Sequence, residues 1–390
     1  MFKCAWRASF EEDQPGVAMS RSERNPERAN TVRALVLEAP RELNVRTFPR
    51  PSIAADDALL RVEACGLCGT DHEMWSGEMR KFLPLVPGHE AVGIIEEIGP
   101  RAADRWGVAV GDRVGVAPRQ ACGECATCRS GDPRGCERHR GDTYGSISVH
   151  TAPFLWGGYG EYQYLSPDSQ IVRIPAHLDP VVAAMFNAVA NGIRWGVVIP
   201  KTKPGDVVAV LGPGIRGLSA AVAARDAGAS FVMLTGRGAR DAPRLELARQ
   251  FGIDLVVDVA VEDPVAALME NAGSLADVVV DVTAMAPAAF VQALDLARDR
   301  GTVCVAGIHG EGEVPGFHPD VIVLKELHIV GARGTDLAEF NAAVALLASG
   351  RYPFATVPAR TAALEEMSEL LAVLAGERDE PAPPFAALRL

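Results

Sequence analysis

The alternation of apolar and polar residues in the first half of the chain predicts short β-strands. Apolar positions alternate or cluster at strand length in segments such as VRALVLEAP, ALLRVEACG and AVGIIEEIG, and glycine or proline separates one segment from the next. The pattern extends from Val32 to about Leu165. We therefore expect a β-rich, irregular unit in this part of the chain.

After Pro204 the pattern changes to repeating strand and helix units. Apolar runs such as VVAVL, FVMLTG, DLVVDV and GTVCVAG alternate with alanine- and leucine-rich segments of helical period. This alternation is typical of βαβ units, which build a parallel sheet with helices on its faces. We expect a doubly wound parallel sheet over residues 185–335, then a helix at LAEFNAAVALLASG, after which the chain can return to the first unit.

The length and charge of the chain narrow the class of protein. A chain of 390 residues exceeds one ordinary hydrophobic core, so two packed units are expected. The net charge is -12 and we find no basic stripe with interleaved aromatics, which argues against nucleic acid as a partner. The most apolar runs are interrupted by Arg194 and Arg216, so we expect no helix of the roughly 20 apolar residues that span a membrane.

Residues 1–30 differ in composition from the rest of the chain. They are polar and charged, lack the apolar core of a secretory signal and contain Met19 as an alternative start. We expect a flexible N-terminal extension. Without a secretory signal, the crowding of four of the eight cysteines into one short segment favours metal binding over disulfides, and with it a cytoplasmic location.

That segment carries the most specific motif of the sequence. Its cysteines are spaced C-x2-C-x2-C-x7-C at Cys122, Cys125, Cys128 and Cys136. Thiolates this close together can wrap a tetrahedral zinc ion, and four of them leave no position open for a substrate. Unrelated loop cysteines are the alternative, but the segment has almost no apolar residues to give them a core. The motif predicts a structural zinc site in a lobe of about residues 119–140.

A second group of metal-ligand types is split between two segments. Cys68 lies in ACGLCGTDHE, and His89 and Glu90 lie in VPGHEAVG. Cysteine, histidine and glutamate suit a catalytic zinc, which keeps a fourth position open. Taken alone, the pattern has a second interpretation without metal. Cys68 could be a small buried hydrophobic residue, and His89 could be a histidine that is hydrogen-bonded within a turn. Cys65 and Cys68 form a C-x-x-C, but no thioredoxin-like βαβ follows it, so a redox pair is not favoured.

A third motif, G-x-G-x-x-G, lies between the strand VVAVL and an alanine-rich helix. Its glycines are Gly212, Gly214 and Gly217, with Ile215 and Arg216 between the last two. In this context backbone N–H groups and the helix N-terminus bind the pyrophosphate of a dinucleotide. Glycines that merely permit a tight turn are the alternative.

The end of the next predicted strand bears on the choice of dinucleotide. An NAD site usually places an acidic residue there, whereas this chain has Gly236 and Arg237, followed by Arg240 and Arg244. A guanidinium can pair with a 2′-phosphate, so NADP(H) is favoured over NAD(H). Asp241 in the same loop could instead reach a ribose hydroxyl, so NAD(H) stays as the alternative cofactor. The arginines could also be solvent-exposed residues at the start of a helix that bind no ligand.

With these motifs together, the sequence resembles the medium-chain, zinc-containing alcohol dehydrogenase family, including its polyol and threonine dehydrogenase branches. CGLCGTD, PGHEAVG, the cysteine segment, GGYGEY and LGPGIRGL follow in the family's order over nearly all of residues 31–390. The resemblance implies a GroES-like catalytic domain built from residues 31–184 and 336–390, with a Rossmann domain over residues 185–335 inserted between the two parts.

The resemblance also implies roles for individual residues. Cys68 and His89 correspond to catalytic zinc ligands, and Glu90 to an adjacent glutamate that ligates zinc in some members. Thr70 corresponds to the hydroxyl that contacts the substrate alcohol and starts a proton relay. Asp71 corresponds to the carboxylate that orients the ligand histidine.

One position departs from the family pattern. The third protein ligand, a cysteine or glutamate in the family, aligns with Asn187 in AAMFNAVANG. An amide oxygen is a neutral and weaker ligand, so either Glu90 completes the site, which we favour, or Asn187 binds directly or through water. Glu161 of GGYGEY is a less favoured substitute and is interpreted as structural.

The activity implied is hydride transfer between a nicotinamide and an alcohol/carbonyl pair, with a secondary alcohol favoured. The backbone of Val305 and Gly307 is expected beside the nicotinamide. Trp75, Phe154 and Trp156 are candidate pocket residues that favour an apolar or bulky secondary alcohol, with core or subunit contacts as the alternative. Reduction of a conjugated C=C bond and a non-catalytic nucleotide- and zinc-binding protein are the alternatives. Members of this family are usually dimers or tetramers, so the resemblance implies a homodimer or homotetramer.

Overall fold

The computed structural model describes residues 30–79 and 83–390 of the chain. The predicted N-terminal extension and Met19 therefore lie outside the described residues, except for Asn30. Within the described part, the strands form a two-stranded, a six-stranded and a seven-stranded sheet.

The strands alternate with helices in the second half of the chain and dominate the first half. The strands are β1 Thr31–Ala39, β2 Glu42–Pro49, β3 Ala58–Gly66, β4 Ala91–Ile98, β5 Arg113–Val116, β6 Tyr162–Leu165, β7 Ile171–Arg173, β8 Val207–Leu211, β9 Phe231–Gly236, β10 Leu255–Asp258, β11 Ala276–Asp281, β12 Ala297–Val305, β13 His328–Gly331, β14 Ala359–Ala362 and β15 Phe385–Arg389. The helices are α1 Gly69–Ser76, α2 Pro100–Trp106, α3 Ala126–Arg129, α4 Pro180–Ala183, α5 Phe186–Ile193, α6 Ile215–Asp226, α7 Gly238–Gln250, α8 Pro264–Ala272, α9 Ala288–Leu296, α10 Asp320–Leu324, α11 Leu337–Ala348 and α12 Met367–Leu374.

The six-stranded sheet has the order β10-β9-β8-β11-β12-β13, and all its pairs are parallel. Every residue of β8 is buried, as expected for a strand covered on both faces by helices. The strand order reverses between β8 and β11, and ligands bind at such a switch point beyond the carboxyl ends of the strands. The predicted doubly wound α/β fold is confirmed.

The seven-stranded sheet joins distant parts of the chain. Its central strand β3 pairs with β4, β6 and β15, and β15 in turn pairs with β14. Strands that follow the parallel sheet in sequence thus complete the sheet that precedes it. The predicted domain boundaries at residues 184 and 335 remain a prediction.

Helix α5 and its continuation lie between the two large sheets. The stretch Pro180–Val198 is apolar and long enough to cross a membrane, but 78% of its most apolar window is buried inside the protein. It is therefore a core helix. Its one charged side chain, Arg194, is held by Asp336 and Glu339 at 2.9 Å each, which ties α5 to α11.

One hydrophobic core spans both units. It contains Ala64, Val92 and Val172 from the β-rich unit together with buried residues of α5, α6 and α11. Because the units pack directly against each other, groups at the end of β3 face groups at the end of β8 across a narrow cleft. The candidate site lies in this cleft.

Candidate active site

The four-cysteine segment folds into a compact lobe around α3. The ligand atoms of Cys122, Cys125, Cys128 and Cys136 all lie within 4.8 Å of one another. The Cys122 and Cys136 sulfurs are 3.5 Å apart, and those of Cys122 and Cys128 are 4.0 Å apart. Zinc–sulfur bonds of about 2.3 Å in a tetrahedron require comparable separations. The lobe therefore fits the predicted structural zinc ion.

Backbone N–H groups of the lobe stabilise its thiolates. The N–H groups of Glu137 and Cys128 donate to the Cys125 sulfur and lower the pKa of that thiol to about 6. Further N–H groups donate to the sulfurs of Cys122 and Cys136. The lobe's backbone thus favours the ionised form of Cys125 that binds metal, whereas burial and the neighbouring Cys125 raise the pKa of Cys128 to about 12.

The second cluster begins where β3 ends. Cys68 is the N-cap residue of α1, and its sulfur accepts the Thr70 N–H. Asp71 closes a capping box by accepting the Cys68 N–H at 3.0 Å. The Thr70 hydroxyl lies 2.7 Å from the Cys68 sulfur. The start of one short helix therefore places a thiol, a hydroxyl and a carboxylate together.

His89 and Glu90 enter the cluster from the start of β4. Strand β4 pairs with β3 so that Ala91 lies opposite Cys65, which brings the two motifs side by side. The His89 Nε2 atom is 3.3 Å from the Cys68 sulfur and 3.5 Å from the Thr70 hydroxyl. These distances suit two ligands of one zinc ion with a hydroxyl beside them.

Asp71 occupies the other side of the His89 ring. Its Oδ1 atom is 3.6 Å from His89 Nδ1 and has no hydrogen-bond partner at closer range among the described residues. Burial alone would lower the pKa of His89, but the charges of Cys68 and Asp71 hold it well above its ordinary value. The cluster thus favours a cation, either a proton on the ring or a metal ion. Asp71 is placed to orient the ring.

Asn187 and Glu90 contact each other beside this cluster. The Asn187 side-chain amide donates to Glu90 Oε1 at 2.7 Å, and Glu90 Oε1 lies 4.0 Å from His89 Nε2. At this centre the candidate ligand atoms of Cys68, Asp71 and His89 all lie within 4.8 Å of one another. Which of Glu90 and Asn187 provides a third ligand stays a prediction.

Glu161 is held elsewhere in the fold. Its carboxylate accepts the backbone N–H of Arg33 at 2.8 Å and the Arg33 guanidinium Nε at 2.9 Å. These bonds connect β1 to the segment before β6. They agree with a structural interpretation of Glu161.

The glycine motif forms a tight turn between β8 and α6. Gly212 has a φ of +106°, and a Cβ on Gly217 would lie 1.8 Å from the Gly212 carbonyl oxygen. Gly214 is the N-cap of α6 and faces open space. Open space at the N-terminus of a helix is what a pyrophosphate requires.

The loop after β9 exposes positive charge. Gly236 is buried at the strand end, while Arg237 and Arg240 are exposed and form no ion pair among the described residues. Asp241 accepts the Arg237 N–H at 2.9 Å and pairs with Arg244 at 3.1 Å. Asp241 is therefore engaged by its own loop, while within the described part of the chain the guanidinium groups of Arg237 and Arg240 have no ion-pair partner and can meet a ligand.

The predicted nicotinamide end lies at the carboxyl edge of β12. The Val305 carbonyl oxygen accepts the Ala332 N–H, and the N–H groups of Ala306 and Gly307 donate to the Asp281 carbonyl oxygen. Val305 and Gly307 thus leave the sheet beside the switch point. Their contact with a nicotinamide stays a prediction.

A cavity of about 320 Å³ joins these groups. Cys68 and Glu90 line one side, Gly214 and Arg216 the other, and residues of α12 and β15 complete the wall. Trp75, Phe154 and Trp156 instead pack in or against the hydrophobic core of the β-rich unit, so they give no support to a bulky substrate.

Sequence reasoning missed two features of the cavity. The segment Pro383–Ala386 lines it, but no motif marks that segment because its position depends on the pairing of β15 with β3. Arg216 reaches from the glycine turn to Glu90, with 3.7 Å between Nη2 and Oε1. A charged residue inside a glycine motif was the available signal.

Comparisons with known proteins agree with this geometry. Residues 54–176 match the alcohol dehydrogenase GroES-like domain, and residues 217–349 match the zinc-binding dehydrogenase domain. A Mycobacterium tuberculosis relative named "Probable alcohol dehydrogenase" is 62% identical over 92% of this chain and 98% of its own length. An alcohol dehydrogenase of Geobacillus stearothermophilus is 33% identical, over 82% of this chain and 89% of its own length. The chain belongs to the zinc-containing medium-chain alcohol dehydrogenase family.

Solved structures extend the agreement to three dimensions. A zinc-binding dehydrogenase of Sinorhizobium meliloti, solved with NADP, is 30% identical with a TM-score of 0.79, covering 92% of this chain and 99% of that one. The alcohol dehydrogenase of Thermus sp. ATN1 is 28% identical with a TM-score of 0.77, at the same coverage. The predicted class is thereby confirmed: this is an NAD(P)-dependent, zinc-containing oxidoreductase that interconverts an alcohol and a carbonyl compound.

Proposed function

We propose that this chain oxidises a secondary alcohol to a ketone, reversibly, at the Cys68–His89 centre with NADP(H) as the hydride carrier. The observation that carries the proposal is the shared cavity of about 320 Å³, which Cys68 lines on one side and the glycine turn on the other. Hydride transfer requires an alcohol and a nicotinamide in contact, so a metal centre and a dinucleotide turn facing one cavity are the arrangement it needs.

Different residues of the centre would bind the zinc ion, orient its ligands and transfer the substrate proton. Cys68 and His89 would hold the zinc ion, with Glu90 as the favoured third ligand and Asn187 as the alternative. When bound, zinc supplies a Lewis acid that lowers the pKa of an alcohol and stabilises its alkoxide. Asp71 holds the His89 ring in the ligating orientation through its Nδ1 side.

Thr70 is the residue best placed to handle the substrate proton. Its hydroxyl lies beside both ligand atoms, 2.7 Å from the Cys68 sulfur and 3.5 Å from His89 Nε2. An alcohol bound at the centre would therefore meet Thr70 Oγ1 first. The hydroxyl can accept the substrate proton as it releases its own proton to water in the cavity.

The preference for NADP(H) rests on the loop after β9. Arg237 and Arg240 are exposed there without an ion-pair partner among the described residues, and Asp241 is occupied by its own loop. Guanidinium groups pair with phosphate in a bidentate manner. The S. meliloti relative, solved with NADP, supports the same choice.

The proposal is tested by assaying a panel of alcohols and ketones with both dinucleotides. We expect turnover with secondary alcohols and NADP⁺, and about a hundredfold loss in Thr70→Val, since a general acid–base group contributes roughly 10²–10⁴-fold. Thr70→Ser is the matched control and should retain most activity. Equal turnover by Thr70→Val would remove Thr70 from the mechanism, and turnover with conjugated enones alone would replace the alcohol by a C=C substrate.

Assembly and location complete the proposal. Family habit supports a homodimer or homotetramer, which light scattering on the purified chain would test. The seven cysteines of the described residues are all free, which supports a reducing, cytoplasmic environment.

A further inference from the structure

Arg216 lies where the dinucleotide turn and the metal centre meet. It is the second residue of α6, directly beyond the glycine turn, and its side chain crosses the cavity to the opposite wall. Its Nη2 atom is 3.7 Å from Glu90 Oε1. The guanidinium therefore contacts Glu90, the favoured third zinc ligand, from the turn that would bind the dinucleotide.

Glu90 depends on a cation near it. It is 1% exposed, and its nearest cationic neighbours among the described residues are Arg216 and His89. A Cβ on Gly66 would lie 2.5 Å from Glu90 Oε2, so the fold leaves room for this carboxylate by placing a glycine there. A buried carboxylate without a cation costs several kcal/mol. Arg216, a protonated His89 or a metal ion can supply that positive charge, in addition to the hydrogen bond from the Asn187 amide.

A bound dinucleotide would offer Arg216 a competing anion. The pyrophosphate proposed at the N-terminus of α6 would lie beside Gly214 and Ile215, which line the same cavity as Arg216. Arginine binds phosphate oxygens in a bidentate fork. Its contact with Glu90 is loose, with 3.7 Å between Nη2 and Oε1, so a bidentate bond to phosphate would draw the guanidinium away from Glu90. Phosphate and Glu90 therefore compete for one side chain.

We propose that Arg216 is a positioning residue that couples the dinucleotide site to the zinc site. The inference rests on the proposed function, since it needs zinc at Cys68 and His89 and a dinucleotide at the glycine turn. Without dinucleotide, Arg216 pairs with Glu90, and its charge opposes a second cation. With dinucleotide, the guanidinium turns to the pyrophosphate and Glu90 becomes available to the metal. By linkage, zinc at the centre tightens dinucleotide binding by the same factor.

Zinc affinity measured by chelator competition tests the coupling without any assay of turnover. The full chain is loaded with zinc and titrated with chelator, with and without NADPH. Cys68→Ser provides the reference signal of the four-cysteine lobe alone. We expect NADPH to tighten zinc at the Cys68 centre by at least about fivefold, the lower end of typical coupling between sites.

Three variants separate coupling from a structural role. Arg216→Gln should bind zinc more tightly than the unmodified chain without NADPH and should lose the NADPH effect. Arg216→Lys, which keeps the charge, should retain part of it. Arg225→Gln is the control, because it lies on the same helix but pairs with Asp254 at the surface. Its NADPH effect should equal that of the unmodified chain.

The inference is overturned if NADPH leaves zinc affinity unchanged in the unmodified chain, or if Arg216→Gln retains the full effect. If Arg216→Gln does not fold, the coupling is tested on the unmodified chain alone. The dissociation constant of NADPH is then measured with and without zinc at the Cys68 centre, and equal values overturn the coupling. One zinc per chain, or no NADPH binding, would overturn the proposed function and this inference together. Two zinc ions and bound NADPH without linkage would overturn this inference alone.

Discussion

The four-cysteine lobe and the Cys68–His89 centre gather similar ligand types but are built in opposite ways. The lobe takes all four sulfurs from one loop and supports them with its own backbone N–H groups. The centre takes Cys68 and His89 from the end of β3 and the start of β4, and Asn187 and Arg216 from α5 and α6, so it is complete only when both units are packed together. A closed site made locally can stabilise a fold, whereas an open site made from distant elements can respond to substrate and cofactor.

The largest effect should follow from breaking the lobe. Cys136→Ser removes its most buried ligand, which is 3% exposed. We expect one zinc to be lost and the melting temperature to fall by about 10 °C, because loss of a structural metal costs upwards of about 4 kcal/mol. Metal analysis and calorimetry would measure both. Cys304→Ser, a buried thiol of β12 outside both clusters, should keep two zinc ions, and an equal loss there would refute the assignment.

Breaking the open centre should affect chemistry and leave the fold intact. Cys68→Ser should lose the other zinc and about 10³-fold in turnover, since a Lewis acid is worth several kcal/mol, with little change in melting temperature. Cys65→Ala is the matched control, because Cys65 is fully buried and burial raises the pKa of its thiol well above the ordinary value. If Cys65→Ala lost activity as Cys68→Ser does, a redox dithiol would replace the zinc centre.

Loss of the Asp71 carboxylate, which orients His89, should weaken zinc binding less than loss of a zinc ligand does. Asp71→Asn should weaken zinc at the centre by about 10–100-fold, the usual effect of removing a group that orients a ligand. Chelator competition would measure the change. Glu161→Gln should leave zinc affinity unchanged because Arg33 already holds that carboxylate. A loss in Glu161→Gln would make Glu161 a ligand instead.

The smallest effect concerns the cofactor. Arg237→Gln should weaken NADPH binding by about tenfold, because one charge-assisted hydrogen bond is worth about 1.5 kcal/mol or more. Fluorescence titration would measure both dinucleotides. NADH affinity is the internal control and should not change. Tighter binding of NADH than NADPH by the unmodified chain would reverse the proposed preference.

The sequence predicted those parts of the site that are local in the chain. The cysteine lobe and the glycine turn each occupy one segment, so spacing and flanking pattern were sufficient. The β-rich unit and the parallel sheet were likewise visible as two periods of hydrophobicity. Membership of a known family supplied the link between Cys68 and His89.

The parts that depend on long-range packing could not be predicted. Nothing near Arg216 in the sequence indicates that its side chain reaches Glu90, because that contact exists only across the interface between the two units. The sequence also left open whether Trp75 and Trp156 line a pocket or lie in the core, and only the packing of the fold places them in the core. Both outcomes depend on how elements far apart in the chain pack.

The pairing of β15 with β3 also orders events during synthesis. Leu67, next to Cys68, donates its N–H to the Ala386 carbonyl oxygen, and Ala386 is made more than three hundred residues later. At roughly 5–20 residues per second, a growing chain leaves the edge of β3 beside Cys68 without its β15 partner for tens of seconds. The four-cysteine lobe can close as soon as its own loop is made. The lobe can therefore form before the chain is finished, whereas the wall of the reactive centre needs β15 to be made.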